Sequence, residues 1–377
     1  MKYYIIAGEA SGDLHASNLM RELKRVDNQA YFRVWGGDLM QAQGGELVKH
    51  YRETAFMGFI TVLRNIGSIR RNFQLCEADL LDYAPDVLIL VDYPGFNLRM
   101  ARFAKEHGIK VFYYISPKIW AWKQSRVKKI KRYVDRMFTI FPFETEFYKQ
   151  FDYPVYFGGN PLLDALDNRP RKSESFDDFI LRNSLDQRPL VAILAGSRKQ
   201  EIERILPTML EVVDEFPQYQ FVVAAAPSID ESYYKSLIGD KSVATVYSQT
   251  YELLQQSRAA LVTSGTATLE TALLRIPQVV CYRMSGGRLA YDLGKKLLKV
   301  RYISLVNLVM DKEVVKELIQ QNMNAKQIKH ELDALLHDKA YRNEMLEQYD
   351  ILKGKLGGEG ASKRFATMMY QELLGMI

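Results

Sequence analysis

The chain has 377 residues, 47% hydrophobic and 25% charged, which suits a globular protein with a full core and sets a prior of about two domains. Its formal charge of +6 is mild, and its 2 cysteines (Cys76 and Cys281) lie far apart and near no histidine cluster, which argues for core thiols in a reducing compartment over a disulfide framework or zinc site. No apolar run reaches the roughly 18–20 residues of a membrane span, and Met1-Lys2 leads straight into a strand with no room for a signal peptide, so a cytoplasmic chain with at most peripheral membrane contact is expected.

The first strand pattern, Tyr3–Ala7, runs into Gly8-Glu9-Ala10-Ser11-Gly12-Asp13, and a helical pattern follows with Leu14, Leu19, Met20 and Leu23. Two glycines at a strand-to-helix turn let a ligand approach the backbone, and their spacing is neither that of a dinucleotide fingerprint nor that of a P-loop. A strand follows at Phe32–Trp35. Phe56, Phe59, Ile60, Leu63, Ile66, Ile69 and Phe73 then recur at helical spacing, with Met57 among them and Arg64, Arg70 and Arg71 interleaved. Such a stripe is ordinarily core, but its all-positive charges also fit an interfacial helix or an acyl-chain groove.

Strand Val87–Val91 ends at Asp92-Tyr93-Pro94-Gly95-Phe96-Asn97. An acid at the carboxyl end of a buried parallel strand stands where α/β ligands bind, and it can take a proton from a hydroxyl nucleophile; capping of the next turn is the plainer alternative. His15 is a rival base, equally suited to a solvated helix face. A helix pattern at Ala101–His107 precedes strand Val111–Ile115, which leads into Ser116-Pro117-Lys118-Ile119-Trp120-Ala121-Trp122 and then Lys123, Arg126, Lys128, Lys129, Lys131, Arg132 and Arg136. These basic residues fit nucleic acid, an anionic membrane or a solvated helix face. Strands at Met137–Ile140 and Val155–Phe157 close the first series.

The polar stretch 167–175 has linker composition. A second series follows: Leu190–Leu194, Gln220–Ala224, Ala244–Val246, Ala259–Val262 and Val279–Tyr282, with helices dominating from Glu313. Alternation throughout implies two doubly wound α/β domains, most simply facing each other across a cleft. Leu190–Leu194 runs into Ala195-Gly196-Ser197-Arg198 before a helix, a turn that leaves backbone N–H groups open to an anion and adds a bidentate cation. Ala259–Val262 runs into Thr263-Ser264-Gly265-Thr266-Ala267-Thr268-Leu269-Glu270, whose hydroxyls can cap the helix or donate to phosphate, and whose Glu270 can accept two ribose hydroxyls. Two such turns in one domain point to a nucleotide diphosphate. Asn307, in Ser304–Leu308, fits a structural turn better than a ligand contact on its residue type alone.

Together these motifs resemble the lipid-A-disaccharide synthase family, which has the GT-B architecture. The matching runs are Ala7–Asp13, Val91–Asn97, Tyr114–Trp122, Phe141–Glu144, Gly159–Leu162, Gly196–Arg198, Gly265–Glu270, Ser304–Leu308 and Val315–Leu318, in order over nearly the whole chain. The chain departs from the family pattern at Ala195, where the family often has proline, and at Gly95, where it often has aspartate, so that any acid role falls on Asp92 alone. The resemblance implies an inverting hexosyltransferase that joins UDP-2,3-diacylglucosamine to 2,3-diacylglucosamine 1-phosphate, giving a β-1,6 disaccharide phosphate and UDP, without metal or cofactor.

It further implies that residues 1–168 form an acceptor and membrane-side domain and 169–346 a UDP-sugar-binding domain. Residues 347–377 pack back on the first domain or exchange with a second chain, leaving monomer and homodimer both open. Gly196, Ser197, Arg198, Gly265, Thr266, Thr268, Glu270 and Asn307 would bind the donor. Gly8, Glu9, Ser11, Gly12, Asp13 and Asn97 would line the acceptor side. Asp92 would act as base and Arg198 would stabilise the leaving group. Phe56, Met57, Phe59, Ile60, Leu63, Arg64, Ile66 and Arg70 would meet acyl chains or the membrane, and the basic run would favour the anionic inner membrane of a Gram-negative bacterium over nucleic acid. Rival readings are another UDP-sugar enzyme of the same architecture, such as an epimerase, or a non-catalytic UDP-sugar-binding protein at the membrane.

Overall fold

Tyr3 to Ala7 are all buried within strand β1 (Lys2–Ala7). Such continuous apolar runs form the middle of parallel sheets covered on both faces. The computed structural model describes residues 1–53, 66–121, 124–284 and 301–376. It divides into two compact units, Met1–Ala165 with Leu356–Ile377, and Leu166–Lys355.

In the first unit β1 is followed by α1 (Ala10–Val26), β2 (Tyr31–Gly36), α2 (Asp38–Ala42), β3 (Glu46–His50), α3 (Ile66–Tyr83), β4 (Val87–Val91), α4 (Pro94–Glu106) and β5 (Lys110–Tyr114). Then come α5 (Val127–Tyr133), β6 (Arg136–Thr139), α6 (Pro142–Lys149) and β7 (Tyr156–Phe157), and α7 (Leu162–Asp167) leads out. The sheet has the order β3-β2-β1-β4-β5-β6-β7 and is parallel. The order reverses between β1 and β4. On one face Tyr3, Ile5 and Ala7 pack with Leu19, Met20 and Leu23 of α1.

The second unit contains α8 (Phe176–Arg182), β8 (Leu190–Leu194), α9 (Lys199–Leu210), β9 (Gln220–Ala225), α10 (Glu231–Ile238), β10 (Val243–Tyr247), α11 (Thr250–Gln256) and β11 (Ser257–Thr263). It continues through α12 (Thr266–Leu273), β12 (Gln278–Tyr282), α13 (Leu305–Met310), β13 (Lys316–Ile319), α14 (Ala325–His337) and α15 (Lys339–Lys355). Its parallel sheet has the order β10-β9-β8-β11-β12-β13, reversing between β8 and β11. The last helix, α16 (Ala361–Leu374), returns to the first unit, where Phe365, Met369 and Leu373 join the core built on β1 and α1.

Two strands depart from the sequence reading. β3 and β13 were not expected, and β13 lies inside the tail read as helical; both are short edge strands whose sequences carry no long apolar run. The tail also divides at Leu356 instead of before residue 347. All of α15 stays with the second unit, where Leu352 is buried and the Gln278 amide donates to the Tyr349 hydroxyl at 3.3 Å. No described helix is long and apolar enough to cross a membrane.

Candidate functional site

In the first unit Ala7 pairs with Val91, so Gly8 and Asp92 leave the sheet side by side where the strand order reverses. This is the switch point, at the carboxyl ends of the strands, where doubly wound sheets bind ligands. The two turns interlock, because a Cβ on Gly8 would lie 2.3 Å from the Tyr93 ring. Asp92 and Tyr93 both adopt left-handed backbone, with φ 45° and 46°. For non-glycine residues that costs on the order of 1–3 kcal/mol each, and it persists only where surrounding bonds over-determine it. Here they do: the Asp92 carbonyl accepts from the Asn97 amide at 2.8 Å and from the Tyr113 hydroxyl at 2.5 Å, while the Asp92 N–H donates to the Tyr114 carbonyl at 3.2 Å.

Burial pushes the Asp92 carboxyl up to about 6, and the charge of Glu9 adds to this; Lys118 and the Tyr93 N–H pull the other way. Asp92 is therefore ionised at pH 7 yet basic enough to share a proton. Beyond it lies Glu144, whose carboxylate accepts from the Ile140 and Phe141 N–H groups at 3.1 and 3.0 Å and which burial pushes up to about 8. Glu144 carries its proton at neutral pH, so Asp92 is the one of the pair able to act as a base there.

In the second unit the turns after β8 and β11 stand together in the same way, since Leu194 pairs with Val262. Gly196 and Gly265 have φ 120° and 152°, backbone that side-chain-bearing residues rarely adopt. α9 and α12 begin directly after these turns, and neither has a side-chain cap, so their first N–H groups stay open at the positive ends of the helices. Arg198 is exposed and lies only 3.5 Å from Glu201, a weak contact that leaves its guanidinium free to turn to an anion. One turn into α12, Glu270 takes a hydrogen bond of 3.1 Å from the Tyr251 hydroxyl, and burial raises its carboxyl above the ordinary carboxylate range. Pro170, Ser248, Thr250, Tyr251, Glu252 and Glu270 line a hollow of about 260 Å3.

Residues 3–367 match the family described as Lipid-A-disaccharide synthetase. The lipid-A-disaccharide synthase of Geobacter sulfurreducens is 39% identical over 378 residues, 98% of this chain and 97% of that protein. The chain belongs to the lipid-A-disaccharide synthase family. It is accordingly a glycosyltransferase of lipid A biosynthesis. Among solved structures, the UDP-GlcNAc 2-epimerase from Neisseria meningitidis bound to UDP-GlcNAc superposes with a TM-score of 0.70 at 14% identity, covering 98% of this chain and 100% of that one. The S. aureus MnaA–UDP co-structure gives 0.72 at 13% identity, covering 99% and 97%. These likenesses show the fold, and it is the GT-B fold.

For this synthase family member, several residues expected to touch substrate are engaged by the chain itself. Asp13 accepts from the N–H groups of Gly37, Leu39 and Met40 at 2.8, 3.1 and 3.1 Å, so it caps α2. Gly12 is buried against Ala7, where a Cβ would lie 3.2 Å from that side chain, and serves helix-on-sheet packing. Asn97 is fully buried and its amide holds the Asp92 turn. The Thr268 hydroxyl donates to the Gly265 carbonyl at 2.8 Å, which takes it away from phosphate. Asn307 accepts from the Val314 and Val315 N–H groups and donates to the Val315 carbonyl and Glu317, so all its polar capacity lies inside the protein. Glu9, Ser11, Ser197, Arg198 and Thr266 are exposed at the helix starts.

Of the expected membrane contacts, Phe56, Met57, Phe59, Ile60, Leu63 and Arg64 lie outside the described residues, as does the side chain of Ile66. Arg70 is exposed, but the end of the stripe is core: Phe73 is buried, stacked on Phe96 at 4.5 Å. His15, the rival base, is pulled down to about 4 by burial, which makes it a poor proton acceptor. Sequence reasoning missed Tyr251, which stands 19 residues before Glu270 and carries no local signal. It also missed the Tyr93 ring and Tyr113 as the supports of Asp92.

Proposed function

We propose that the first unit binds 2,3-diacylglucosamine 1-phosphate and the second binds UDP-2,3-diacylglucosamine, and that the sugar passes to the acceptor 6-hydroxyl with inversion, giving the β-1,6 disaccharide phosphate and UDP. The observation that carries this reading is Asp92: a carboxylate at a switch point, on a strained but braced turn, and raised to about 6. It takes the proton of the 6-hydroxyl, whose oxygen attacks the anomeric carbon from the face opposite UDP.

The donor diphosphate rests on the open N–H groups after Gly196 and Gly265, with Ser197, Thr266 and Arg198 as side-chain donors. These positive groups counter the charge that builds on the departing UDP. Glu270, steadied by Tyr251, takes the ribose hydroxyls. Two of the structural neighbours are described with UDP or UDP-GlcNAc bound, which accords with a UDP site. Glu9 and Ser11 stand on the acceptor side.

Lys128, Lys129, Lys131 and Arg132 are exposed on α5 and favour an anionic lipid surface, which supports peripheral attachment to the cytoplasmic face of the inner membrane. The reading is tested by incubating the protein with both diacyl substrates while following UDP and disaccharide together. Stoichiometric appearance of both supports it; UDP-sugar bound without turnover contradicts it.

A further inference from the structure

At the other end of the second sheet, the amino end, Phe176, Gln187, Pro189, Gln256, Ser257, Arg258 and Arg342 line a hollow of about 290 Å3. Pro189 precedes β8 and Ser257 opens β11, so this hollow lies at the opposite strand ends from the Gly196 and Gly265 turns.

Two features make it unusual. The first is a bulge. Ser257 pairs with Leu190 and Ala259 with Val191, which leaves Arg258 as an extra residue in β11. A bulge re-aims a side chain at some cost to the ladder, and bulges gather beside sites. The second is charge. Arg342 donates through Nη1 to the Arg258 carbonyl at 2.6 Å, which fixes its guanidinium and leaves Nε and Nη2 without a partner among the described residues. Burial, and then the positive charge of Arg258, pull Arg342 below its ordinary value. Among the described residues neither guanidinium meets a carboxylate, whereas Arg33, Arg136, Arg182 and Arg188 each do so within 2.9 Å. Two like charges brought together without a counterion raise the free energy of the empty protein, and a bound dianion removes that cost.

We propose that Arg258 and Arg342 form a second anion site, distinct from the donor turns, that takes the phosphate group of a phosphate monoester. Arg342 is the fixed half of the clamp and Arg258, exposed on its bulge, the adaptable half. The Phe176 ring and Pro189 give the wall against which the organic part of the ligand rests.

The test is thermal unfolding of the wild type, Arg258→Gln, and Arg258→Gln with Arg342→Gln, titrated with inorganic phosphate and with glucose 1-phosphate. A parallel arm measures sedimentation with phosphatidic acid vesicles, since a monoester can be free or borne by a lipid. Phosphate bound elsewhere shifts all the proteins alike and cancels. The phosphate concentration needed for a given rise in melting temperature, or the lipid concentration giving half the sedimentation, is expected to increase tenfold or more in the variants; the arm that responds identifies the source. Without phosphate, Arg258→Gln is expected to melt above the wild type, because it relieves the repulsion. Equal responses in both arms for wild type and variants, or a lower melting temperature for phosphate-free Arg258→Gln, overturns the proposal. Arg258→Gln alone keeps the test decisive should the double variant misfold, because Arg258 is exposed.

Discussion

At the residue scale, the surroundings of the buried carboxyl groups set their protonation. Asp92 is held at about 6 against an ordinary 3.8, so the folded protein binds its proton more tightly than the unfolded chain. Stability therefore falls as pH rises from about 4 through 6, and the penalty is complete above that. Asp92→Asn, which does not ionise, is expected to melt above the wild type at pH 8 and to lose that advantage at pH 4. The same variant is expected to lose turnover by about 10²–10⁴-fold, the usual worth of a general base, and the acidic limb of wild-type activity is expected near pH 6. A residue whose removal stabilises the fold and stops the reaction is a functional residue. Glu144 gives the contrast: its proton is on at pH 7, so Glu144→Gln should keep near-normal activity and cost under about 1 kcal/mol in denaturant unfolding. For Glu270→Gln, an amide group replaces one of the two acceptor oxygens offered to the ribose, so UDP affinity is expected to fall by about tenfold or more in calorimetry.

At the element scale the turns matter more than the helices they join. Gly8→Ala drives a methyl group into the Tyr93 ring and must displace the Asp92 turn, so it is expected to cost about 1–3 kcal/mol in denaturant unfolding and to lower turnover with little change in UDP affinity. The central strands and their turns were legible in the sequence, because β1, β4, β8 and β11 are buried throughout or nearly so and read as apolar runs ending in small or polar residues. The edge strands β3 and β13 were not, because a strand with one neighbour and a half-exposed face needs no such run. Asp13 and Asn307 show a second limit. The family resemblance assigned both to ligands, yet Asp13 caps backbone 24 to 27 residues away, and Asn307 closes the turn before β13, as its residue type alone had suggested. A motif marks residues that a site needs, and it does not separate those that touch the ligand from those that hold the loop.

At the scale of the whole molecule, each unit carries its own sheet, its own switch point and its own pair of turns, an arrangement suited to handling two substrates. The chain closes by returning α16 to the first unit, where the Phe365 side chain is fully buried against Tyr114 and Phe138. Phe365→Ala is expected to destabilise the first unit by about 3–5 kcal/mol while leaving UDP affinity intact, read by thermal unfolding with and without UDP. In the proposed function, acceptor activation belongs to Asp92 and donor binding to the second unit. The most direct test of this assignment measures UDP affinity and disaccharide turnover together in Asp92→Asn. Turnover is expected to fall at least 100-fold with UDP affinity unchanged; near-wild-type turnover, or a parallel loss of UDP affinity, would overturn the assignment.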